Sequence, residues 1–322
     1  SLCALSAAAC DNAALETRLE TVVARAKAVA SGETRVPRVR FGKTEVDVSV
    51  LTCGGMRLQQ TWGQNVTSMA QVDPVCQKNL VDIIRHARKL GINHFETARG
   101  YGCSELQFGA AFRELFASGE VRREDVVIQT KLNPTNTAAE FRAQLEDCFE
   151  RLGLTYIDFF SLHGLNQEHQ YDLVFRNGKN GNLIDVVREY MAAGKIRHLG
   201  FSTHGQPDVI RKFIESDAFE YVNLHYHYFG SYTASGGGPE GGNLSNLRLC
   251  QEKDMGVFII SPFDKGGRLY APSRRLRELT LPDLEPADFG AHWLWHHARL
   301  HPDAVPVHTI VCGAARASDL DE

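Results

Sequence analysis

Four side chains suited to proton chemistry stand at the ends of short apolar runs: Glu96, Tyr101, Lys131 and His163. Glu96 and Tyr101 follow Ile92–Phe95, Lys131 follows Val126–Thr130, and His163 follows Tyr156–Leu162. A carboxylate, a phenol, an amine and an imidazole brought together suit the reduction of a carbonyl, in which carbon takes a hydride and oxygen takes a proton. A phenol with its ordinary pKa of about 10 is a reluctant acid near neutrality. A neighbouring ammonium favours the phenolate and lowers that value, which is the part available to Lys131, with Glu96 holding the lysine charged and oriented. His163 can donate to the substrate oxygen and polarise the carbonyl. No side chain supplies a hydride, so the set requires a cofactor.

Each residue alone has an ordinary explanation. A strand-end lysine snorkels to water, a strand-end histidine is a satisfied polar group, and a Gly-Tyr-Gly tyrosine covers a core. A glutamate there caps a helix. What would make them a site is the set of elements that brings the four together.

Strand-like and helix-like runs alternate from Val36 onward. Strands are predicted near Val48–Thr52 and at Ile92–Phe95, Val126–Thr130, Tyr156–Leu162, His198–Phe201, Tyr221–Leu224, Val257–Ile260 and Thr309–Cys312. Helices are predicted near Val75–Leu90, Glu105–Ala117, Ala138–Leu152, Leu183–Ala193, Pro207–Ser216, Leu244–Lys253 and Asp288–Leu300. Alternation of this kind implies parallel strands with right-handed crossovers. Eight units close into an α/β (β/α)8 TIM barrel, whose active site is built at the C-terminal ends of its strands. A hairpin around Gly42-Lys43 precedes the first barrel strand. Residues 1–35 read as an N-terminal helical extension, with Leu15, Leu19, Val22, Val23 and Ala26 at helical spacing over Leu15–Ala30. Residues 36–322 read as the barrel, its last helix expected to lie outside this sequence. Ser235–Gly242 reads as a long loop at the mouth.

Composition agrees with a globular protein: 43% of 322 residues are hydrophobic and 23% charged. A net charge of −4 argues against nucleic acid or an anionic membrane as main partner. No apolar run approaches the ~18 residues that suggest a spanning helix. Eight scattered cysteines without a Cys-x-x-Cys pattern suit a reducing, cytoplasmic setting and offer no metal or cluster site. His225-x-His227 reads as pocket lining. His292, His296, His297 and His301, with Trp293 and Trp295, read as structural, since zinc would need a third ligand nearby.

The run Gly91-Ile-Asn-His-Phe-Glu-Thr-Ala-Arg-Gly-Tyr-Gly-Cys-Ser-Glu105 resembles the signature segment of the aldo-keto reductase superfamily. Phe41–Leu58, Lys131, Asp158-Phe-Phe-Ser-Leu-His163 and Gly194-Lys-Ile-Arg-His-Leu-Gly-Phe-Ser202 carry the likeness further. The resemblance implies Tyr101 as proton donor, Lys131 as the group lowering its pKa, His163 as substrate orienter and Glu96 as the acidic member, where the family usually has Asp. It implies NADP as cofactor, with NADPH favoured over NADH through Arg316 and neighbouring basic residues, and a small-molecule carbonyl substrate. Ser202 and Asn223 resemble the residues that hold the nicotinamide carboxamide. Ser261-Pro-Phe263-Asp-Lys265-Gly-Gly-Arg268-Leu resembles the loop over the pyrophosphate, and Gly313-Ala-Ala-Arg316 the adenosine-phosphate loop. Ile260 stands where many members have a stacking Tyr. These departures support an alternative: a barrel with weak or no turnover, serving as a binding or scaffold subunit among protein partners in a larger assembly.

Overall fold

The computed structural model describes residues 35–60, 66–228, 242–264, 267–280, 284–300 and 307–321. The helix expected over Leu15–Ala30, nearly all of the glycine-rich mouth loop, and Lys265, His297 and His301 lie outside the described residues or side chains.

A hairpin of β1 (Arg38–Arg40) and β2 (Asp47–Ser49) opens the described chain. Eight parallel strands follow: β3 (Leu51–Gly54), β4 (His94–Glu96), β5 (Val127–Leu132), β6 (Ile157–Leu162), β7 (Ile196–Ser202), β8 (Tyr221–Leu224), β9 (Gly256–Ile259) and β10 (Thr309–Gly313). They close in chain order, β10 pairing with both β9 and β3, so the expected TIM barrel is present.

The surrounding helices are α1 (Pro74–Leu90), α2 (Ser104–Ala117), α3 (Ala138–Leu152), α4 (Glu168–Phe175), α5 (Leu183–Ala192), α6 (Pro207–Glu215), α7 (Leu244–Glu252), α8 (Arg274–Thr280) and α9 (Pro286–Leu300). Helix α1 shows why such segments start and stop where they do. The Asp73 carboxylate accepts from the free amides of Val75 and Cys76, Pro74 fits the first turn, and Gly91 ends the helix at φ 97°. Its buried positions, Leu80, Val81, Ile83, Ile84 and Ala87, fall on one face and pack on the barrel. Helices α4 and α8 were not among the expected elements.

The hairpin plugs the barrel floor. Phe41, fully buried, packs its ring 5.3 Å from Phe159 and 5.5 Å from Tyr221. Gly256 is required beside it, since a Cβ there would lie 2.8 Å from the Phe41 ring. Above this apolar plug runs a buried polar chain. Thr309 Oγ1 and Thr52 Oγ1 are 2.8 Å apart, and Thr52 Oγ1 lies 2.9 Å from His94 Nδ1. His94 Nε2 lies 3.0 Å from Gln129 Oε1, and Gln129 Nε2 donates to Ser161 Oγ at 3.0 Å and to Asn223 Oδ1 at 3.3 Å. Burial pushes His94 down to about 3, so its ring is neutral within this layer. A satisfied polar layer of this kind rigidifies the floor on which the mouth residues stand.

Candidate active site

Glu96 and Lys131 lie within their strands rather than just beyond them. β4 runs one residue past the expected end, and β5 continues to Leu132 because Lys131 and Leu132 pair in register with Ser161 and Leu162 of β6. The loop after β4 keeps the parallel pairing going: Thr97 N donates to Gln129 O and Arg99 N to Lys131 O, each at 2.8 Å. That anchorage holds Tyr101 over the end of β5. His163 extends β6 in the same way, its N–H donating to Leu132 O at 2.8 Å. The four expected side chains are thereby brought to one mouth.

Lys131 and Glu96, 1% and 3% exposed, form a buried ion pair. The ammonium also donates to the Thr97 carbonyl at 3.0 Å and lies 4.7 Å from the centroid of the Tyr101 ring. The Tyr101 hydroxyl donates to the same Glu96 oxygen, Oε1, at 3.4 Å. The His163 ring meets the Tyr101 ring edge-on, with centroids 5.6 Å apart. Gly100 lies beside the same imidazole, where a Cβ would sit 3.8 Å from His163 Cε1 and Nδ1.

Burial dominates the electrostatics. It pushes the Lys131 ammonium well below the ordinary lysine range; the touching carboxylate is what makes a charge tenable there. Burial raises the Tyr101 phenol above its ordinary value, and the Arg57 charge acts against this. Lys131, expected from the sequence to lower the phenol's pKa, has its ammonium against that ring. Burial, with Lys131 and His204 nearby, lowers His163 to about 3 and keeps its imidazole neutral. His163 Nδ1 is buried with no hydrogen-bond partner among the described residues.

Ser202 and Asn223 are adjacent in register at the ends of β7 and β8, both buried. Ser202 Oγ accepts from Gly164 N at 3.2 Å. Asn223 Oδ1 is occupied by Gln129, but its Nδ2 is buried with no acceptor among the described residues. A buried donor without an acceptor costs about 1–3 kcal/mol, and a bound amide carbonyl would satisfy it. Ser261 and Asp264 turn the loop after β9 with φ of 51° and 61°. In that loop Phe263 packs on Tyr270, centroids 5.3 Å apart, and Arg268 is exposed. Gly313 ends β10 against the Arg57 side chain, where a Cβ would lie 3.1 Å from Arg57 Cβ. Arg316 is 72% exposed and paired with Asp319 at 2.8 Å. A cavity of about 580 Å³ lies away from the four mouth residues, bounded by Phe263, Leu269, Trp295, Ile310 and Leu320.

His225 Nε2 lies 2.6 Å from His204 Nδ1 at the mouth, and the His292 and His296 rings lie tilted to each other on α9 with centroids 5.7 Å apart. Among the described residues no three His, Cys, Asp or Glu side chains gather in a way that could hold a metal ion. Among them, too, no helix is long and apolar enough to cross a membrane.

The family model for the aldo/keto reductase family matches residues 50–280, most of the chain. This protein belongs to the aldo/keto reductase family. Among curated relatives of this aldo/keto reductase is L-galactose dehydrogenase of Arabidopsis thaliana, 27% identical over 250 residues, 72% of this chain and 67% of the plant enzyme. Another is the NADH-specific methylglyoxal reductase of Escherichia coli, 25% identical over 211 residues, 58% of this chain and 57% of that enzyme. The chain thus spans about two thirds or less of the length of these oxidoreductases. An aldo-keto reductase from Bacillus halodurans, solved in its holo form, superposes with a TM-score of 0.65 at 20% identity, covering 89% of each chain. That likeness speaks for the fold.

Sequence reasoning missed Arg57, Glu105 and Arg151. Arg57 follows Gly54-Gly55, a glycine pair where strand meets mouth, which was the available signal. Glu105 and Arg151 gave none, because their meaning lies in contacts across 46 and 49 positions of sequence.

Proposed function

We propose that this aldo/keto reductase reduces aldehyde or ketone carbonyls to alcohols, with a nicotinamide dinucleotide as hydride source and Tyr101 as proton donor. One observation carries the reading: Glu96, Tyr101 and Lys131 are linked at one strand-end mouth, with the neutral His163 ring against the phenol. The dinucleotide, when bound, supplies the hydride to the carbonyl carbon. Ser202 and Asn223 would hold its carboxamide, the Asn223 Nδ2 donor being the group left without an acceptor.

The remaining work belongs to the chain. His163 donates one ring N–H to the carbonyl oxygen and fixes its direction. The Tyr101 O–H bond breaks as the alcohol O–H bond forms, leaving a phenolate. The Lys131 ammonium over the ring face and the Arg57 charge stabilise it. Glu96 keeps the ammonium in place, and the phenolate takes a proton back from water at the mouth. NADPH is the preferred form in this reading, through Arg268 and an Arg316 that exchanges Asp319 for a phosphate. The six described cysteines are free thiols, which suits the reducing setting of the cytoplasm.

A second reading has one observation behind it. Glu96 holds both Lys131 and the Tyr101 hydroxyl, an arrangement that suits a barrel binding its ligand without turnover. The experiment is to titrate NADPH and NADH into the purified protein, then supply reactive aldehydes and quinones and detect the alcohol or quinol. Product formation with NADPH supports the first reading. Cofactor binding with no product across the panel supports the second.

A further inference from the structure

Two charged side chains in the core take no part in the chemistry above. Glu105, in the first turn of α2, is fully buried, and Arg151, in the last turn of α3, is 8% exposed. Arg151 Nε donates to Glu105 Oε2 at 3.1 Å. A buried pair of this kind is often no more stabilising than apolar residues of the same size, so its presence asks for another use.

Its outer hydrogen bonds supply one. Glu105 Oε1 accepts from Thr130 Oγ1 at 2.6 Å, and Thr130 is the residue before Lys131 on β5. Arg151 Nη2 donates to the Gly102 carbonyl at 2.6 Å, and Gly102 is the residue after Tyr101. The link Thr130–Glu105–Arg151–Gly102 therefore joins the neighbour of the ammonium to the neighbour of the phenol. Asp147, one turn earlier on α3, pairs with Arg99 at 2.6 Å on the other side of Tyr101. Asp147 and Arg151 share a helix face by their spacing of four, so α3 grips the tyrosine loop at both ends. The α2–α3 spacing is itself fixed: a Cβ on Gly109 would lie 2.3 Å from the Arg151 carbonyl oxygen.

We propose that the buried Glu105–Arg151 pair is a positioning device that sets the separation between the Tyr101 phenol and the Lys131 ammonium. It rests on the reading of Tyr101 as proton donor, since only then does that separation govern a rate. What marks the pair is where its outer hydrogen bonds end: on the residues next to Lys131 and Tyr101.

The test uses the full chain with ring-13C tyrosine, the Tyr101 resonance being assigned by its loss in Tyr101→Phe. Arg151→Met is expected to move that resonance and to lower kcat by about tenfold or more, as small misplacements near reacting groups do. KM and cofactor affinity should change by less than about twofold, the sign of a loss confined to the transition state. Arg151→Lys, which still reaches toward Gly102 O, should recover most of the rate. A folded Arg151→Met protein with an unmoved Tyr101 resonance and unchanged kcat would overturn the proposal. If Arg151→Met does not fold, Thr130→Val removes one hydroxyl at nearly equal volume and is read the same way. A wild-type protein without turnover defeats the proposed function, while the Tyr101 resonance still decides the positioning claim.

Discussion

The Tyr101 hydroxyl donates to the Glu96 carboxylate at 3.4 Å, through the same oxygen that engages Lys131. A shorter carboxylate in that place would be one methylene further from the phenol. Glu96→Asp is therefore expected to loosen the hold on Tyr101 and to raise kcat by a few fold. Glu96→Gln leaves the buried ammonium without its counter-charge. Removing one partner of a buried pair costs about 3–5 kcal/mol, less whatever Lys131 recovers by losing its proton. Urea unfolding and steady-state kinetics on the two variants check both directions. An unstable Asp variant beside an unaffected Gln variant would contradict the assignment.

Acid stability should follow the imidazoles withdrawn from water. Burial depresses His94 and His163 to about 3 and His308 to about 4, against the ordinary value near 6.5. Their folded-state values lie below the unfolded one. The stability they carry is therefore complete above about pH 6.5 and is lost as pH falls toward about 3. In that window the unfolded chain takes up protons that the folded chain refuses, at ~1.4 kcal/mol per pH unit for each proton withheld. Urea midpoints measured from pH 7 down to pH 4 should fall steadily. A flat profile would show that these rings charge freely in the folded protein.

Asn223→Leu separates binding from folding. Its Nδ2 has no acceptor among the described residues, and Gln129 Nε2 keeps its bond to Ser161 when Asn223 Oδ1 is removed. Stability should be unchanged or slightly higher, because an unsatisfied buried donor disappears. Dinucleotide affinity should weaken by about tenfold, or ~1.4 kcal/mol. Fluorescence titration and thermal melting read the two effects; equal affinity would place the carboxamide elsewhere.

All eight barrel strands were legible in the sequence, because each is a short apolar run bounded by polar or glycine turns and separated from the next by a helix-length segment. Their ends were less so. Glu96 and Lys131 are charged, which reads as the edge of a strand, yet parallel pairing with the next strand carries both inside it. Helix α4 was hidden in Leu165–Asn182, a stretch of Asn, Gln and Gly whose eight-residue helix buries only Val174 fully. Helix α8 was hidden for the same reason, with Thr280 its one buried residue. The mouth constellation was legible because barrel geometry brings strand ends together. That Arg57 also lends its charge to the phenol was not, since it comes from a separate segment of the chain. The Glu105–Arg151 link joins three separate segments, and no local pattern announces it.

On the proposed reading everything turns on Tyr101 giving the proton. The most direct measurement compares wild type with Tyr101→Phe in NADPH oxidation coupled to alcohol formation from a reactive aldehyde, with cofactor affinity measured on both. The wild type should give stoichiometric product and the variant a loss of about 10²–10⁴-fold in kcat, the range of a general acid's contribution, at unchanged cofactor affinity. Equal turnover by the two proteins would contradict it.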